Sequence, residues 1–572
     1  MVDESDAIII GGGLGGLTCA AYLAAAGRRV LLLEQHDIAG GNSHVFRRRR
    51  KYEFDVGVHY LGDCGPDGII PAILGGLGAR DRVVFRELNP DCFDRVVLPG
   101  RTVDVPASWP EYRARLKSAL PDDAEGLDRF VSIIKAMGEE QRAMLLAPSG
   151  TPITDIIAMT PNVQAWGHRT LAELFGHCAL SPGARTVLAA QSPNYGMGPA
   201  QATVSTHAAV TDHYIRGAYF PSGGGQMLAA TLVEVIEANG GELRTKSRVE
   251  QIQVADRTVR GVVLGDGTEL SAPIVISNAD YRRTVLDLVG PEHFSKSVIR
   301  NTREAEMSLP FAATYVALDR ELTDQTEANI WWYDTDDIDA YYQQLAEGRQ
   351  PDKIKFLFIS FGSLKDPGAR HTCPPGHSNF QLMTLCPPNY QPWGVENGPT
   401  DGTKYRRLGT YRAEKERFTE AMVVAAERVL GPFRGNIVHL ELATPLTQER
   451  YTMSTGGTPF GLARWGKGGT RPDTGTGVAG LYVVGQSTRY GSGIAGVMVG
   501  GLACAAQILQ RPLMSEVHSG AVVGDPSLLP DRPDGWDPLV VSRGSELLIG
   551  TVGKAGCRRR RGAPPASRGR VG

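Results

Sequence analysis

Gly11, Gly13 and Gly16 stand in the spacing G-x-G-x-x-G, and Glu34 follows at the end of an apolar run. Residues of these types in this order bind a dinucleotide. Bare backbone lets a pyrophosphate approach, a helix N-terminus faces its negative charge, and the downstream acid accepts the ribose hydroxyls. The glycine pattern alone is a weak signal, so its weight comes from context. An apolar strand, Ala7 to Ile10, precedes it, an Ala/Leu helix ending near Gly27 follows, and a second apolar run, Val30 to Leu33, leads into Glu34. The same stretch competes with a membrane anchor or a signal peptide, because the 21 residues from Ala7 to Gly27 carry no charge. Against those readings, six of the residues from Gly11 to Gly27 are glycine, and Asp3, Glu4 and Asp6 precede the run where a secretory signal would place positive charge.

Two further α/β pieces lie far away in the chain. In "YFPSGGGQMLAATLVEVIEANGGELRTKSRVEQIQV", glycines 223 to 225 precede a helix from about Met227 to Ala238, and an alternating strand follows. "TVRGVVLGDGTEL" reads as a hairpin and "APIVISNAD" as a buried strand. "GLYVVGQSTRYGSGIAGVMVGGLACAAQILQ" gives a strand, a glycine-rich turn and a helix from about Gly493 to Leu509. The expected fold class is α/β, a Rossmann-like nucleotide domain built from discontinuous segments with a second α+β substrate domain. The expected boundaries put nucleotide-binding segments at 1–90, 206–290 and 445–510 and substrate-domain segments at 91–205 and 291–444. Trp331, Trp332, Tyr333, Tyr341, Tyr342, Phe356, Phe358 and Phe361 in the second domain suit either ordinary core or the wall of an apolar pocket, core being the safer reading for any one of them.

Composition excludes other classes. The chain has 572 residues, 42% apolar and 21% charged, with 60 basic against 62 acidic side chains. No overall field recommends nucleic acid as a partner. Eight cysteines without a C-x-x-C pair read as reduced thiols of a cytoplasmic protein. His371, Cys373, His377 and Cys386 lack paired close spacings and read as a loop beside a strand, so no metal site is expected. "RRRRK" at 47–51 reads as a solvated hairpin tip that could also touch anionic lipid, and the Pro/Gly/Arg-rich stretch 511–572 as a mostly disordered tail.

The N-terminal unit continues as "EQHDIAGGNSHVFRRRRKYEFDVGVHYLGD" and resembles the flavoprotein family of phytoene desaturases, carotenoid isomerases and retinol saturases. Glu34, Gly40, Gly41, Phe54, Asp55, Gly57, His59, Tyr60 and Gly62 match its opening, and the H-Y-x-G ending resembles the retinol saturases most. "HAAVTDHYIRGAYFPSGGG" and "LYVVGQSTRYGSGIAGVMVGG" continue the likeness, which spans about residues 5 to 510. The resemblance implies FAD. Gly11, Gly13 and Gly16 would admit the pyrophosphate, Glu34 would hold the adenosine ribose, and Gly40 and Gly41 would approach the chain leading to the flavin. Val249 would lie beside the adenine. Gly485 and the closing helix at Gly493, Ile494 and Gly496 would face the flavin, where a positive helix end stabilises the reduced ring. One departure is Asn42, where many relatives carry a basic residue after the Gly-Gly pair.

A flavin can accept a hydride, donate one, or pass electrons transiently while a double bond rotates, and fold does not choose among these. The resemblance favours reduction of a double bond in a lipophilic isoprenoid or polyene, with desaturation or isomerisation as alternatives. Reduction needs a proton donor, and His59, Tyr60, His207 and His213 are the candidates, since imidazole and phenol both donate. Each also has a plain reading: His59 and Tyr60 as packing beneath the flavin, His207 and His213 as hydrogen-bonded helix histidines. Amine-oxidase chemistry and non-catalytic prenyl binding of the Rab escort type are the more distant alternatives. Peripheral membrane contact is left open, as is the electron donor or acceptor. No second G-x-G-x-x-G supports direct use of a nicotinamide.

Overall fold

The computed structural model describes residues 5–148, 150–369, 371–465 and 471–544. Its first sheet is parallel and five-stranded, in the order Leu481–Val483, Val275–Ser277, Ala7–Ile10, Val30–Leu33, Glu242–Arg244. Ile9 pairs with Leu32 on one side and Ile276 on the other, and Ile276 pairs in turn with Tyr482. Both faces of such a sheet are buried, so its strands read as continuous apolar runs, AIII and VLLL, without alternation. Strands from three distant parts of the chain therefore share one sheet. The Leu14–Ala25 helix covers it and packs on the Gly493–Leu509 and Gln226–Ala238 helices through a core containing Leu17, Cys19, Leu23, Leu232 and Leu502.

The second sheet has seven strands, in the order Ile437–Ala443, Phe311–Leu318, Ser378–Leu385, Phe356–Ser360, Asn329–Tyr333, Asp94–Leu98, Arg101–Val105. Here side chains alternate with period two. Ile330, Trp332, Leu357 and Ile359 face one core with Phe418 and Met422 of the Gly409–Leu430 helix. Trp331, Tyr333, Phe356 and Phe358 face the opposite core with the Ala124–Leu146 helix. Of the eight aromatics singled out from the sequence, Trp331 and Phe358 reach the large cavity described below, while the other six fill core.

Two expectations need correction. Residues 511–544 are folded: they carry the Leu513–His518 helix and a strap anchored by specific partners. Arg532 donates to the buried Glu234, Trp536 Nε1 donates to the same carboxylate at 3.0 Å, and the Ser542 carbonyl accepts from Ala39 N–H at 2.8 Å. Composition missed this because the apolar anchors are sparse: Leu513, Val517 and Leu529 join the core beneath the first sheet's helices, and charge-assisted bonds complete the attachment. Residues 545–572, including Arg558 to Arg561, lie outside the described residues. The basic run 47–51 does form the end of a hairpin, Val45–Arg48 against Tyr52–Asp55, but it is not wholly solvated. Arg47 pairs with Glu53 and Asp537, and Arg48 with Glu441, leaving Arg49, Arg50 and Lys51 at the tip. Among the described residues no helix is long and apolar enough to cross a membrane, and no His/Cys/Asp/Glu group could hold a metal ion.

Candidate active site

A single cavity of about 1800 Å³ runs from the first βα turn to the aromatic face of the second sheet. At one end it is lined by Gly11, Gly13, Glu34, Gly40, Gly41 and Val249. Gly16 stands behind this lining: a Cβ there would lie 2.5 Å from the Gly11 carbonyl oxygen, so its absence lets helix and strand approach closely. Gly41 touches the turn from the other side, where a Cβ would meet Gly13 Cα at 3.0 Å. Glu34 is 8% exposed, and its two oxygens accept the Gly12 and His36 N–H groups, each at 2.7 Å. Burial raises its pKa while those bonds oppose the rise. A carboxylate oxygen takes two hydrogen bonds, so each retains an acceptor site for a ribose hydroxyl.

At the other end of the nucleotide site Gly485, Gly493, Ile494 and Gly496 line the cavity, the last three on the first turn of the Gly493–Leu509 helix. These features fit FAD: a glycine turn for the pyrophosphate, a buried acid for the ribose, and a second helix N-terminus for the flavin ring. Asn42 also lines the cavity, with its Oδ1 accepting from Gln448 Nε2, so an amide pair occupies the position after the Gly40–Gly41 pair.

The four proton-donor candidates separate. His59 lines the cavity, and its Nε2 is buried with no hydrogen-bond partner among the described residues. Burial and the nearby Lys365 charge push its pKa down to about 3, so its ring is neutral and holds no imidazolium proton to give. His213 lines the cavity with both nitrogens engaged: Nε2 accepts from Gly62 N–H at 2.9 Å and Nδ1 meets Asp63 at 2.7 Å. It clamps the loop that carries Tyr60. His207 does not line the cavity: it is buried against Tyr195 Oη at 3.0 Å and the Thr211 hydroxyl at 3.3 Å, with its pKa lowered to about 4 by burial. For His207 the expectation of a reacting group is corrected to a structural one.

Tyr60 remains. Its ring stacks on Tyr214 with centroids 4.0 Å apart, and both line the cavity together with Asn194, Phe311, Trp331 and Phe358. The phenol donates to Asp94 at 3.0 Å and accepts from Asn194 Nδ2 at 3.1 Å. Asp94, Asn329 and Lys365, which complete this buried network, escaped the sequence reading. No local signal marks them: Lys365, in "FGSLKDP", stands next to Asp366 and near Ser363.

The family model for flavin-containing amine oxidoreductases matches residues 14–509. The all-trans-retinol 13,14-reductase of Rattus norvegicus is 29% identical over 552 residues, covering 90% of this chain and 88% of that protein. The lycopene-forming phytoene desaturase of Pseudescherichia vulneris is 25% identical, covering 88% and 99%. Among solved structures, cyclohexylamine oxidase from Brevibacterium oxydans superposes with a TM-score of 0.55 at 16% identity, covering 89% of this chain and all of that one. That likeness establishes the fold, a Rossmann-like FAD domain joined to a second domain. The cofactor is FAD, and the protein is an oxidoreductase. The chain belongs to the flavin-containing amine oxidoreductase family.

Proposed function

We propose that the protein reduces a carbon–carbon double bond of a lipophilic isoprenoid or polyene, a retinoid being the nearest example. The cavity carries this reading. At about 1800 Å³ it exceeds the roughly 300–1000 Å³ of an ordinary ligand site, room for FAD and a long second molecule. Its far wall is aromatic and apolar, supplied by Tyr60, Tyr214, Phe311, Trp331, Phe358 and Phe460. The relatives named for retinol reduction and phytoene desaturation support the substrate class.

FAD supplies hydride transfer when bound. The chain's own residues divide the rest. Glu34 and the glycine turn fix the nucleotide, the aromatic wall excludes water and holds the polyene, and the His213–Asp63 clamp fixes the Tyr60 loop. Tyr60 is the group we assign to the proton. Residues 1–90, 206–290 and 445–510 serve as the FAD-binding segments and 91–205 and 291–444 as the substrate domain.

Peripheral membrane contact belongs to the same reading. From Ala143 to Met159 the sequence has one charge, Asp155, and none of the described residues in that span is buried. Ile153 is 70% exposed and Ile157 48%, while Met144, Leu145 and Ala147 of the same rim line the cavity. An apolar rim at the mouth of an apolar cavity suits loading from lipid.

The test is a pair of anaerobic half-reactions with retinol and carotenoid precursors. Reoxidation of the reduced flavoprotein, with a product two mass units heavier, supports reduction. Bleaching of the oxidised flavoprotein, with a product two units lighter, overturns it in favour of desaturation.

A further inference from the structure

Behind the aromatic wall lies a set of buried polar groups that the cofactor site does not use. Asp94, at the start of its strand, is 0% exposed and belongs to the core side of the wall. Its Oδ2 accepts from Tyr60 Oη at 3.0 Å and from Gln191 Nε2 at 2.6 Å, and its Oδ1 accepts from Asn329 Nδ2 at 2.8 Å. The Asn329 Oδ1 accepts from Lys365 Nζ, which also donates to the His59 carbonyl at 2.6 Å and Ser360 Oγ at 2.7 Å. Tyr60 and Asn194 reach the cavity, whereas Asp94, Gln191, Asn329 and Lys365 do not. Among the groups bonded to Asp94 that line the substrate space, Tyr60 is the one whose proton is a phenol's.

We propose that Asp94 stores the proton of the reduction and delivers it through Tyr60, whose phenol is the group that meets the substrate carbon. The proposal rests on the reductive reading above. The hydrogen-bond pattern has two states. With Asp94 ionised, the phenol proton points away from the cavity, towards Oδ2. With Asp94 protonated, its own O–H turns to the Tyr60 oxygen, which then accepts from Asp94 and Asn194 together and leaves its proton free to point into the cavity. The proton count closes. One substrate carbon receives a hydride from the reduced flavin, the other takes the Tyr60 proton, and the carboxylic proton of Asp94 restores the phenol, leaving Asp94 ionised until the next proton enters.

The surroundings make the carboxyl suited to this task. Burial raises Asp94 to about 6 against the opposing pull of its hydrogen bonds, and holds Tyr60 well above the ordinary phenol range. The charged and titratable groups facing Asp94 are Lys365 through Asn329, the phenols of Tyr60 and Tyr214, and the Cys92 thiol. Lys365 is itself lowered to about 7 by burial, so at pH 6 it still holds most of its charge, and Asp94 is raised in its presence. Asp94 acts through Tyr60 and is a positioning residue.

The experiment mixes dithionite-reduced holoenzyme anaerobically with retinol and follows flavin reoxidation from pH 5 to 8 for the wild type, Tyr60→Phe and Asp94→Asn. We expect the wild-type rate to fall as pH rises through about 6. Tyr60→Phe should lose about 10²- to 10⁴-fold and Asp94→Asn should lose the pH dependence, both with FAD content unchanged. Tyr60→Phe within threefold of the wild type, or an Asp94→Asn profile that still falls through pH 6, overturns the relay while leaving the reductive reading intact. If the wild type does not reduce any polyene, both fall together. Should Asp94→Asn not fold, the rate and pH profile of Tyr60→Phe decide alone.

Discussion

Replacing Glu34 by Gln changes no volume and removes one charge, which makes it a sharp test of the nucleotide end. Both carboxylate oxygens act as acceptors, Oε2 for Gly12 N–H and Oε1 for His36 N–H, each at 2.7 Å. An amide has one acceptor and one donor, so either orientation sets an NH2 against a backbone N–H. A hydrogen bond to a charged group is worth roughly 1.5–3 kcal/mol. If one such bond to the ribose is lost with the charge, then at 1.4 kcal/mol per tenfold FAD affinity falls by about 10- to 150-fold. The assay is equilibrium titration of apoprotein with FAD, followed by flavin fluorescence. A second arm uses FMN, which lacks the adenosine ribose and should show no difference between Glu34→Gln and wild type. A variant that binds FAD within threefold of the wild type would refute the assignment of Glu34 to the ribose.

Gly16→Ala places a Cβ 2.5 Å from the Gly11 carbonyl oxygen, and overpacking of this kind costs about 1–3 kcal/mol. By contrast Gly176→Ala, in a helix with no atom within 4 Å of the new carbon, should stabilise by up to about 1 kcal/mol, both read by denaturant unfolding of the apoprotein. The double change Ile153→Glu, Ile157→Glu should abolish co-sedimentation with phosphatidylcholine vesicles yet leave turnover of detergent-dispersed polyene unchanged, and unaltered sedimentation would reject the rim as the membrane face. Lys365 is lowered from the ordinary lysine value to about 7 by burial, so between that pH and about 10 the unfolded chain holds a proton that the folded one has released. Unfolding then takes up a proton, and wild-type stability relative to Lys365→Met should rise with pH across that window. A difference that is flat or falls over the range contradicts the desolvation of the Lys365 amine there.

What the sequence disclosed follows the range over which each interaction acts. The glycine turn, the runs AIII and VLLL and the acid at Glu34 were legible because strand, turn, helix and ligand contacts are all settled within a few tens of residues. The proton network was not. Asp94 meets Asn329 across 235 positions, and Asn329 meets Lys365 across 36. Read singly, an Asp, an Asn and a Lys each look like surface polarity, and only the sheet that sets Asn329–Tyr333 parallel to Asp94–Leu98 makes them one cluster. The histidines fail in the opposite sense. His59, His207 and His213 are of the right type to move protons, but type does not reveal that one is desolvated to neutrality, one buried beside Tyr195 and one held at both nitrogens. The strap shows the same limit for composition. Proline and charge predict that a segment cannot bury enough apolar surface to fold alone. They do not predict that Glu234, 3% exposed at its side chain and paired with Arg82, also accepts from Arg532, 298 residues away. Order in the strap therefore has two sources: Leu513, Val517 and Leu529 join the core of the FAD domain, and Arg532 shares a carboxylate already held by Arg82.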